Sequence, residues 1–142
     1  MRMSALVLAF AACVPAALAS SDQESLAIGT WYGEVSSPGQ PLQRFLTSRA
    51  PNGTFVLQTR LYDKGRAISE LRNSGLWGIS NGMYFTFTTE VNGKQTDSSR
   101  SEMTNPYLVR SLNATSFEYQ HIPSKGIFRV IRVDPATARL PD

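Results

Sequence analysis

Few side chains in this sequence could carry out acid–base or nucleophilic chemistry, and they lie far apart. His121 is the only histidine, and an imidazole acts as a general base only beside a nucleophile or a carboxylate, so we expect a half-exposed strand residue instead. Ser98, Ser99 and Ser101 lack the G-x-S-x-G sequence that presents a nucleophilic serine on a sharp turn, and we expect them to lie in a polar loop. The sequence therefore predicts no catalytic residues and no metal site.

The acidic residues form no pair suited to acid–base catalysis, and Glu70 is the one carboxylate with an informative position. It shares a strand face with Ile68 and Arg72, so it could point into the fold toward Arg44 or Arg60, since a buried carboxylate requires a basic partner. We favour the alternative, an ion pair on the outer surface of a sheet. Without an acid–base pair, a metal set or a phosphate-binding loop, we expect a protein that is not an enzyme and has no cofactor.

The distribution of charge argues against a nucleic-acid partner. The sequence has 14 Lys and Arg residues against 11 Asp and Glu residues, a formal net charge of +3. Nucleic-acid-binding proteins gather their basic residues into a stripe or a tail, whereas the arginines here are scattered along the chain. We predict no nucleic-acid binding, and the sequence carries no signal for a particular oligomeric state.

Residues 1–19 have the pattern of a secretory signal peptide. Arg2 supplies the positive charge near the start, residues 5–12 form a short apolar run, and Ala17-Leu18-Ala19 matches the small-residue cleavage motif. The run is shorter than the roughly 20 apolar residues that span a bilayer, and we predict no membrane span elsewhere. We expect cleavage after Ala19 and a location in the periplasm or outside the cell.

Cys13 offers an alternative route of processing, in which it is acylated as in a lipoprotein. It follows Phe10-Ala11-Ala12, which places phenylalanine where leucine is usual, so we favour cleavage after Ala19. Because Cys13 is the only cysteine, that cleavage leaves a chain with no disulfide and no thiolate metal site.

Turn signals divide the rest of the chain into short strands. Asn52-Gly53, Asn81-Gly82 and Asn92-Gly93 are typical of tight hairpins, because Asn and Gly tolerate a positive φ. The runs between turns are rich in Thr, Val, Ile and aromatic residues, with no helical periodicity, and Gly75 indicates a bend or bulge. The predicted strands are 28–35, 42–49, 54–62, 67–79, 83–91, an irregular segment over 94–112 with a polar loop around 98–105, 117–122 and 127–133.

About eight consecutive strands favour an all-β fold, an antiparallel up-and-down β-barrel, because closure removes the exposed edges of a sheet. The alternative is a two-sheet sandwich. The predicted organisation is a signal peptide (1–19), an N-terminal extension (20–27), a barrel domain (28–134) and a short tail (135–142), which we expect to be disordered.

Several short motifs resemble those of lipocalins. Gly29-Thr30-Trp31 matches the G-x-W signature at the start of the lipocalin barrel. Asn52-Gly53-Thr54-Phe55 and Gly75-Leu76-Trp77 add similarity to small bacterial lipocalin-like domains of the calycin type. The resemblance covers residues 28–133 and implies that Trp31 plugs the closed end of the barrel, with Arg129 or Arg132 from the last strand packed across it.

A barrel of this size can hold one small ligand, and ligand pockets are mostly apolar with a few polar groups. We predict an exported binding protein for a small, mostly apolar molecule. The candidate wall residues are Trp77, Tyr84, Phe85 and Tyr119, and the candidate polar anchors are Arg44, Arg60 and Glu70. The alternative is a barrel filled by its own side chains that acts through its outer surface, as an envelope interaction protein or an inhibitor, and an enzyme is a less favoured third possibility.

Overall fold

The computed structural model describes residues 17–142, and most of the regular structure in this range is β-strand. A short helix, α1 (Ala17–Ala27), precedes the strands, and a single 3-10 turn (Ser101–Met103) lies between the sixth and the seventh strand. In chain order the strands are β1 (Gly29–Val35), β2 (Leu42–Arg49), β3 (Thr54–Asp63), β4 (Arg66–Ser80), β5 (Met83–Val91), β6 (Lys94–Gln95), β7 (Thr104–Leu112), β8 (Ser116–His121) and β9 (Ile127–Val133). Residues 1–16, which include Cys13 and most of the predicted signal peptide, lie outside the described range.

The strands form one antiparallel sheet that closes into a barrel. β1 to β5 pair in succession, β5 also pairs with β7, and β8 and β9 continue the sheet. β9 then pairs with β1, from Thr30 opposite Val133 to Gly33 opposite Val130, so eight strands form a ring. The ninth strand, β6, pairs only with the end of β5. The predicted eight-stranded up-and-down barrel is confirmed, and the two-sheet sandwich is wrong.

The predicted strands agree with the observed ones except in one region. The strands predicted over 42–49, 83–91 and 127–133 have the observed bounds. The irregular segment predicted over 94–112 is two separate strands, β6 and β7, joined by the polar loop and the 3-10 turn. β6 is so short because Asn92-Gly93 turns the chain back on β5 for only two residue pairs.

Gly75 of β4 lies opposite a bulge in β5, because Ser74 and Gly75 pair with Glu90 and Thr88 and Thr89 is the extra residue between them. A Cβ atom at this position would lie 1.9 Å from the carbonyl oxygen of Phe87. The close approach of the two backbones therefore requires glycine, as the sequence pattern indicated.

Two of the Asn-Gly pairs adopt the conformation expected of a tight hairpin, with positive φ at both residues. Asn81 and Gly82 have φ of 51° and 72°, and Asn92 and Gly93 have φ of 49° and 76°. In the third pair only the glycine, Gly53, has a positive φ. The turn at Gly53 is held instead by a side chain, since the amide of Thr54 donates to Oδ1 of Asn52 at 3.1 Å.

Helix α1 includes the N-terminal extension predicted over 20–27, for which the sequence carries no helical signal. Its last residue, Ala27, is fully buried, and the carbonyl oxygen of Ala27 accepts the indole N–H of Trp31 at 2.9 Å. A helix of this length is marginal on its own, and its residues show no apolar periodicity. Packing against the end of the barrel therefore stabilises it. None of the helical segments in residues 17–142 has the length and the apolar character required for crossing a bilayer.

The C-terminal tail also differs from the disordered segment that the sequence predicts, because it packs along the outer face of the barrel. Leu140 is only 5% exposed. Arg60 donates to the carbonyl oxygens of Leu140 and Pro141 at 3.1 and 2.7 Å, and the hydroxyl of Tyr62 donates to Pro141 at 2.6 Å. These contacts join residues about 80 positions apart in sequence, so no local pattern could indicate them.

Candidate functional site

Trp31 closes one end of the barrel. Its side chain is fully buried and contacts Phe117 edge to face, with 6.0 Å between the ring centroids. The guanidinium carbon of Arg132 lies 4.3 Å from the centroid of the Trp31 ring, within the range of a cation–π interaction. The Trp31 ring and the Arg132 guanidinium together form the floor of the barrel.

Arg132 is held over Trp31 by three hydrogen bonds to backbone carbonyls. Nη1 donates to Ile28 at 2.6 Å, Nη2 to Leu26 at 2.5 Å and Nε to Ala114 at 2.6 Å. Gly29 leaves room for this guanidinium, since a Cβ there would lie 2.3 Å from Nη1 of Arg132.

Arg129, the other arginine that the sequence proposed for this role, is on the outer face. Its Nε donates to Oε2 of Glu118 at 2.6 Å, and its side chain is 71% exposed. The alternation of side chains along β9 separates the two arginines, because Arg129 and Arg132 are three residues apart and so point to opposite faces.

A cavity of about 100 Å³ lies inside the barrel above this floor. Half of its wall is aromatic or aliphatic and half is polar. The aromatic and aliphatic lining residues are Phe45, Phe55, Leu57, Tyr84, Tyr107, Tyr119 and Phe128. The polar lining residues are Gln43, Thr47, Thr59, Asn73, Thr86, Thr88 and Asn105.

The aromatic side of the cavity is a packed cluster contributed by β5, β7, β8 and β9. The rings of Tyr84 and Tyr107 stack with 5.0 Å between centroids, and those of Tyr119 and Phe128 stack at 5.5 Å. Tyr107 and Tyr119 meet edge to face at 5.1 Å. Interlocked rings of this kind lose little freedom when a ligand binds, so this wall is preorganised.

The polar side of the cavity includes one buried atom that has no partner in the described part of the protein. Oδ1 of Asn73 is buried and accepts no hydrogen bond. Two threonines of the same lining are nearly inaccessible to solvent, with Thr47 4% and Thr88 6% exposed. Since buried polar groups are normally satisfied, this side is suited to a ligand with a polar group.

Arg49 lies behind the inner end of the cavity and is only 2% exposed. Its Nε and Nη2 donate to the hydroxyl oxygen of Tyr84 at 3.2 and 3.0 Å. The guanidinium carbon also lies over the rings of Tyr84, Phe117 and Tyr119, at 4.8, 5.2 and 5.8 Å from their centroids. The third nitrogen, Nη1, is buried and has no hydrogen-bond partner.

Sequence reasoning missed Arg49, although a signal was present. Phe45, Thr47 and Arg49 are at alternate positions of β2, so a strand with an inward Phe45 also directs Arg49 inward. Its position at the end of the strand, just before the turn at Asn52-Gly53, is instead typical of an exposed charge.

Burial keeps the tyrosines of the cavity in their neutral form. Desolvation raises the pKa of Tyr107 and of Tyr119 well above the ordinary value of 10.0, and the positive charge of Arg49 opposes only part of this effect. At neutral pH these hydroxyl groups therefore donate hydrogen bonds.

The seven residues predicted to contact a ligand divide into those inside and those outside the barrel. Tyr84 and Tyr119 line the cavity. Trp77 is buried in the core, with its indole N–H donating to the carbonyl of Ala50 at 3.1 Å, and it does not line the cavity. Phe85 is 42% exposed on the outer face, because it alternates with the inward Tyr84 and Thr86.

Arg44, Arg60 and Glu70 are also on the outer face, which corrects their proposed role as anchors. Arg60 and Glu70 are paired across β3 and β4, with 2.6 Å between Nε and Oε2, as in the outward alternative that the sequence favoured for Glu70. Arg44 pairs with Glu34 at 2.9 Å. The reason is again the two-residue period of a strand, since the neighbours of Arg44 and Arg60, Phe45 and Thr59, line the cavity.

His121 and the serines considered for catalysis do not line the cavity, although the ring centroid of His121 lies 5.2 Å from that of Tyr107, which does. Nδ1 of His121 lies 2.7 Å from the hydroxyl of Ser124 in the β8–β9 turn. Within the polar loop, the amide and the hydroxyl of Ser99 donate to Oδ1 of Asp97 at 3.0 and 2.7 Å. In residues 17–142, no three His, Cys, Asp or Glu side chains are grouped so that they could hold a metal ion.

A scan against models of known protein families finds no match to this chain, and a search among curated proteins finds none either. The relationship of this chain to other proteins is therefore judged from its architecture. The chain forms a closed, eight-stranded antiparallel β-barrel that is compatible with a lipocalin-like fold.

Proposed function

We propose that this chain is an exported lipocalin-like binding protein that holds a small molecule inside its barrel. The observation that carries the proposal is the interior cavity, which has a preorganised aromatic wall and a polar wall that includes the unsatisfied Oδ1 of Asn73. A barrel interior that served only as a core would be expected to be apolar, because burying polar side chains such as Asn73 and Thr88 costs free energy.

The volume of the cavity limits the ligand. A cavity of about 100 Å³ is smaller than the ~150 Å³ apolar cavity that accommodates benzene and than the ~300–1,000 Å³ of pockets for drug-sized ligands. The enclosed part of the ligand is therefore a short chain or a small ring, and a longer ligand would extend past Gln43 and Asn105, which are partly exposed. The mixed lining favours an apolar body with a polar group.

Ligand binding can be tested with protein purified from its own host. Native mass spectrometry is expected to detect a bound small molecule, and removal of this molecule is expected to change the fluorescence of the buried Trp31 or Trp77. The matched variants are Thr88→Phe, which fills the cavity, and Thr104→Phe, which alters an exposed residue on the outer face of β7. Loss of the bound molecule in Thr88→Phe alone supports the proposal, whereas a wild-type protein that never carries or takes up a molecule contradicts it.

Export rests on residues 1–19 and is a separate part of the proposal. Cleavage after Ala19 would leave residues 20–27 of α1 and with them the contact between Ala27 and Trp31. N-terminal sequencing of the protein from a periplasmic fraction is expected to begin at Ser20. A start at an acylated Cys13, or a protein that keeps its leader, would contradict cleavage after Ala19.

A second candidate function is an interaction through the outer surface, and an exposed apolar strip on β4, β5 and β7 favours it. Met83 and Leu108 are register partners and are 41% and 43% exposed. Phe85, next to them, is 42% exposed. If a protein partner co-purifies with the wild type and is lost in a Phe85→Gln, Leu108→Gln variant that still carries its small molecule, the outer surface has a function of its own.

A further inference from the structure

The inside of the barrel contains a positive charge without a counter-ion. Arg49 is 2% exposed, and none of the ion pairs in the described part of the chain includes it. No acidic residue is among those that line the cavity. An arginine side chain remains protonated in proteins, so the interior has a net positive charge.

The hydrogen bonds of Arg49 reach no negatively charged acceptor. Nε and Nη2 both donate to one neutral oxygen, the hydroxyl of Tyr84, and Nη1 donates to none. Aromatic faces at 4.8 to 5.8 Å offset some of the charge. A buried cation is costly when no anion accompanies it, so an anion that bound close to Arg49 would be stabilised by this charge.

Tyr84 connects this charge to the cavity. Its hydroxyl oxygen accepts from Arg49, and Tyr84 itself lines the cavity. Since its oxygen accepts from Arg49, the Tyr84 hydroxyl has its own proton left to donate, and a carboxylate in the cavity is an acceptor that this proton could reach by rotation of the hydroxyl. The hydroxyl groups of Tyr107 and Tyr119 stay protonated at neutral pH, and no residue of the lining carries a negative charge.

We propose that the ligand is a compact monocarboxylate, whose carboxylate group accepts a hydrogen bond from Tyr84 at the inner end of the cavity while Arg49 supplies the compensating positive charge. This inference rests on the proposed function, because it names the chemical class of the ligand in that cavity. The apolar part of the acid lies against Phe45, Leu57 and Phe128, and the small volume selects a short or ring-sized acid.

Calorimetric titrations of the full chain with matched acids and amides test this proposal. The probes are propionate against propionamide and butyrate against butyramide at pH 7, since each pair differs chiefly in charge. We expect the acid to bind about 10-fold or more tightly than its amide, because a charge-assisted hydrogen bond in a desolvated site is roughly twice as strong as a neutral one. Arg49→Met is expected to remove this preference, and Tyr84→Phe to reduce it. Arg129→Met, on the outer face, is expected to leave it unchanged.

The possible outcomes separate this inference from the proposed function. If amides bind as tightly as acids, the assignment of a carboxylate is wrong while the binding function stands. If neither class binds and no other small molecule does, both fail. A preference for acids that persists in Arg49→Met would also overturn the role of Arg49. Should Arg49→Met fail to fold, the wild-type comparison and Tyr84→Phe decide the question.

Discussion

Arg132 lies across the ring of Trp31, with its guanidinium carbon 4.3 Å from the ring centroid, and the two residues face each other as register partners on β9 and β1. The pair thus sits on the seam where the last strand closes on the first. Arg132 also donates hydrogen bonds to the carbonyl oxygens of Leu26, at the end of α1, and of Ile28, just before β1. One side chain therefore links the helix, the seam and the core of the closed end.

Replacement of Arg132 should destabilise the barrel strongly. Arg132→Ala removes the contact with the Trp31 ring and three hydrogen bonds to carbonyl groups, so we expect a loss of about 2–4 kcal/mol in the free energy of unfolding. Urea unfolding followed by tryptophan fluorescence measures this. Arg129→Ala is the matched control on the same strand, and a surface ion pair of this kind contributes at most about 1 kcal/mol. Equal losses in the two variants would contradict the role of Arg132.

The docked tail predicts an unusual contribution from a residue near the C-terminus. Leu140→Ala should lower the free energy of unfolding by about 2 kcal/mol, because it removes a buried leucine side chain from the outer face of the barrel. Leu76, a leucine that is 49% exposed, provides the control, and Leu76→Ala should change stability by no more than about 0.5 kcal/mol. Rapid amide hydrogen exchange throughout residues 135–142 would show that the tail is not docked.

Gly75 should not tolerate a side chain. In Gly75→Ala the new methyl group would overlap the carbonyl oxygen of Phe87. Gly75 and Phe87 lie on paired strands, β4 and β5, so relieving the overlap requires the two backbones to separate at the bulge. We expect a loss of about 2–3 kcal/mol. Gly126→Ala, where the nearest atom to a new Cβ is the Ser124 hydroxyl at 3.3 Å, should cost about 1 kcal/mol or less. Thermal unfolding measures the loss of stability in each of the two variants relative to the wild type.

Alkaline solution should destabilise the protein through its tyrosines. Burial, together with the hydrogen bond to Glu34, raises the pKa of Tyr32 from 10.0 to about 12, and burial raises the pKa of Tyr107 and Tyr119 as well. Between pH 10 and about 12 the unfolded chain loses these protons while the folded one keeps them. The stabilisation is therefore complete below pH 10 and is lost as the pH rises through the folded-state values.

Absorbance at 295 nm reports tyrosine ionisation directly. Tyr32, Tyr107 and Tyr119 should ionise above the ordinary range, and denaturant unfolding should show falling stability over the same pH interval. A Tyr107→Phe variant should show a weaker dependence of stability on pH in that interval. Ionisation of every tyrosine near pH 10 with the fold intact would contradict these shifts.

Local sequence patterns were sufficient to place the strands. The turn at Asn81-Gly82, the bulge at Gly75 and the bounds of β2, β5 and β9 depend on φ preferences and on short-range alternation of side chains. The same alternation also separates Phe85 from Tyr84 and Arg60 from Thr59, once one residue of each strand is known to face inward. It could not decide which of the two faces is inside, so Phe85, Arg44 and Arg60 were assigned to the wrong one, and for Glu70 both faces were considered.

The sequence by itself determined the fold class, most strand positions and the place of Trp31 at the closed end, because these depend on neighbours a few positions apart and on one short motif at Trp31. Tertiary structure alone decided the closure between β1 and β9, the docking of the tail, the choice of Arg132 over Arg129, and the burial of Arg49. Each of these depends on residues distant in sequence, such as Arg49 with Tyr84, 35 positions apart, and Arg132 with Ile28, 104 positions apart. A charged side chain at the end of a strand has the same local pattern whether it faces water or the barrel interior, and only the closed barrel determines which environment it has.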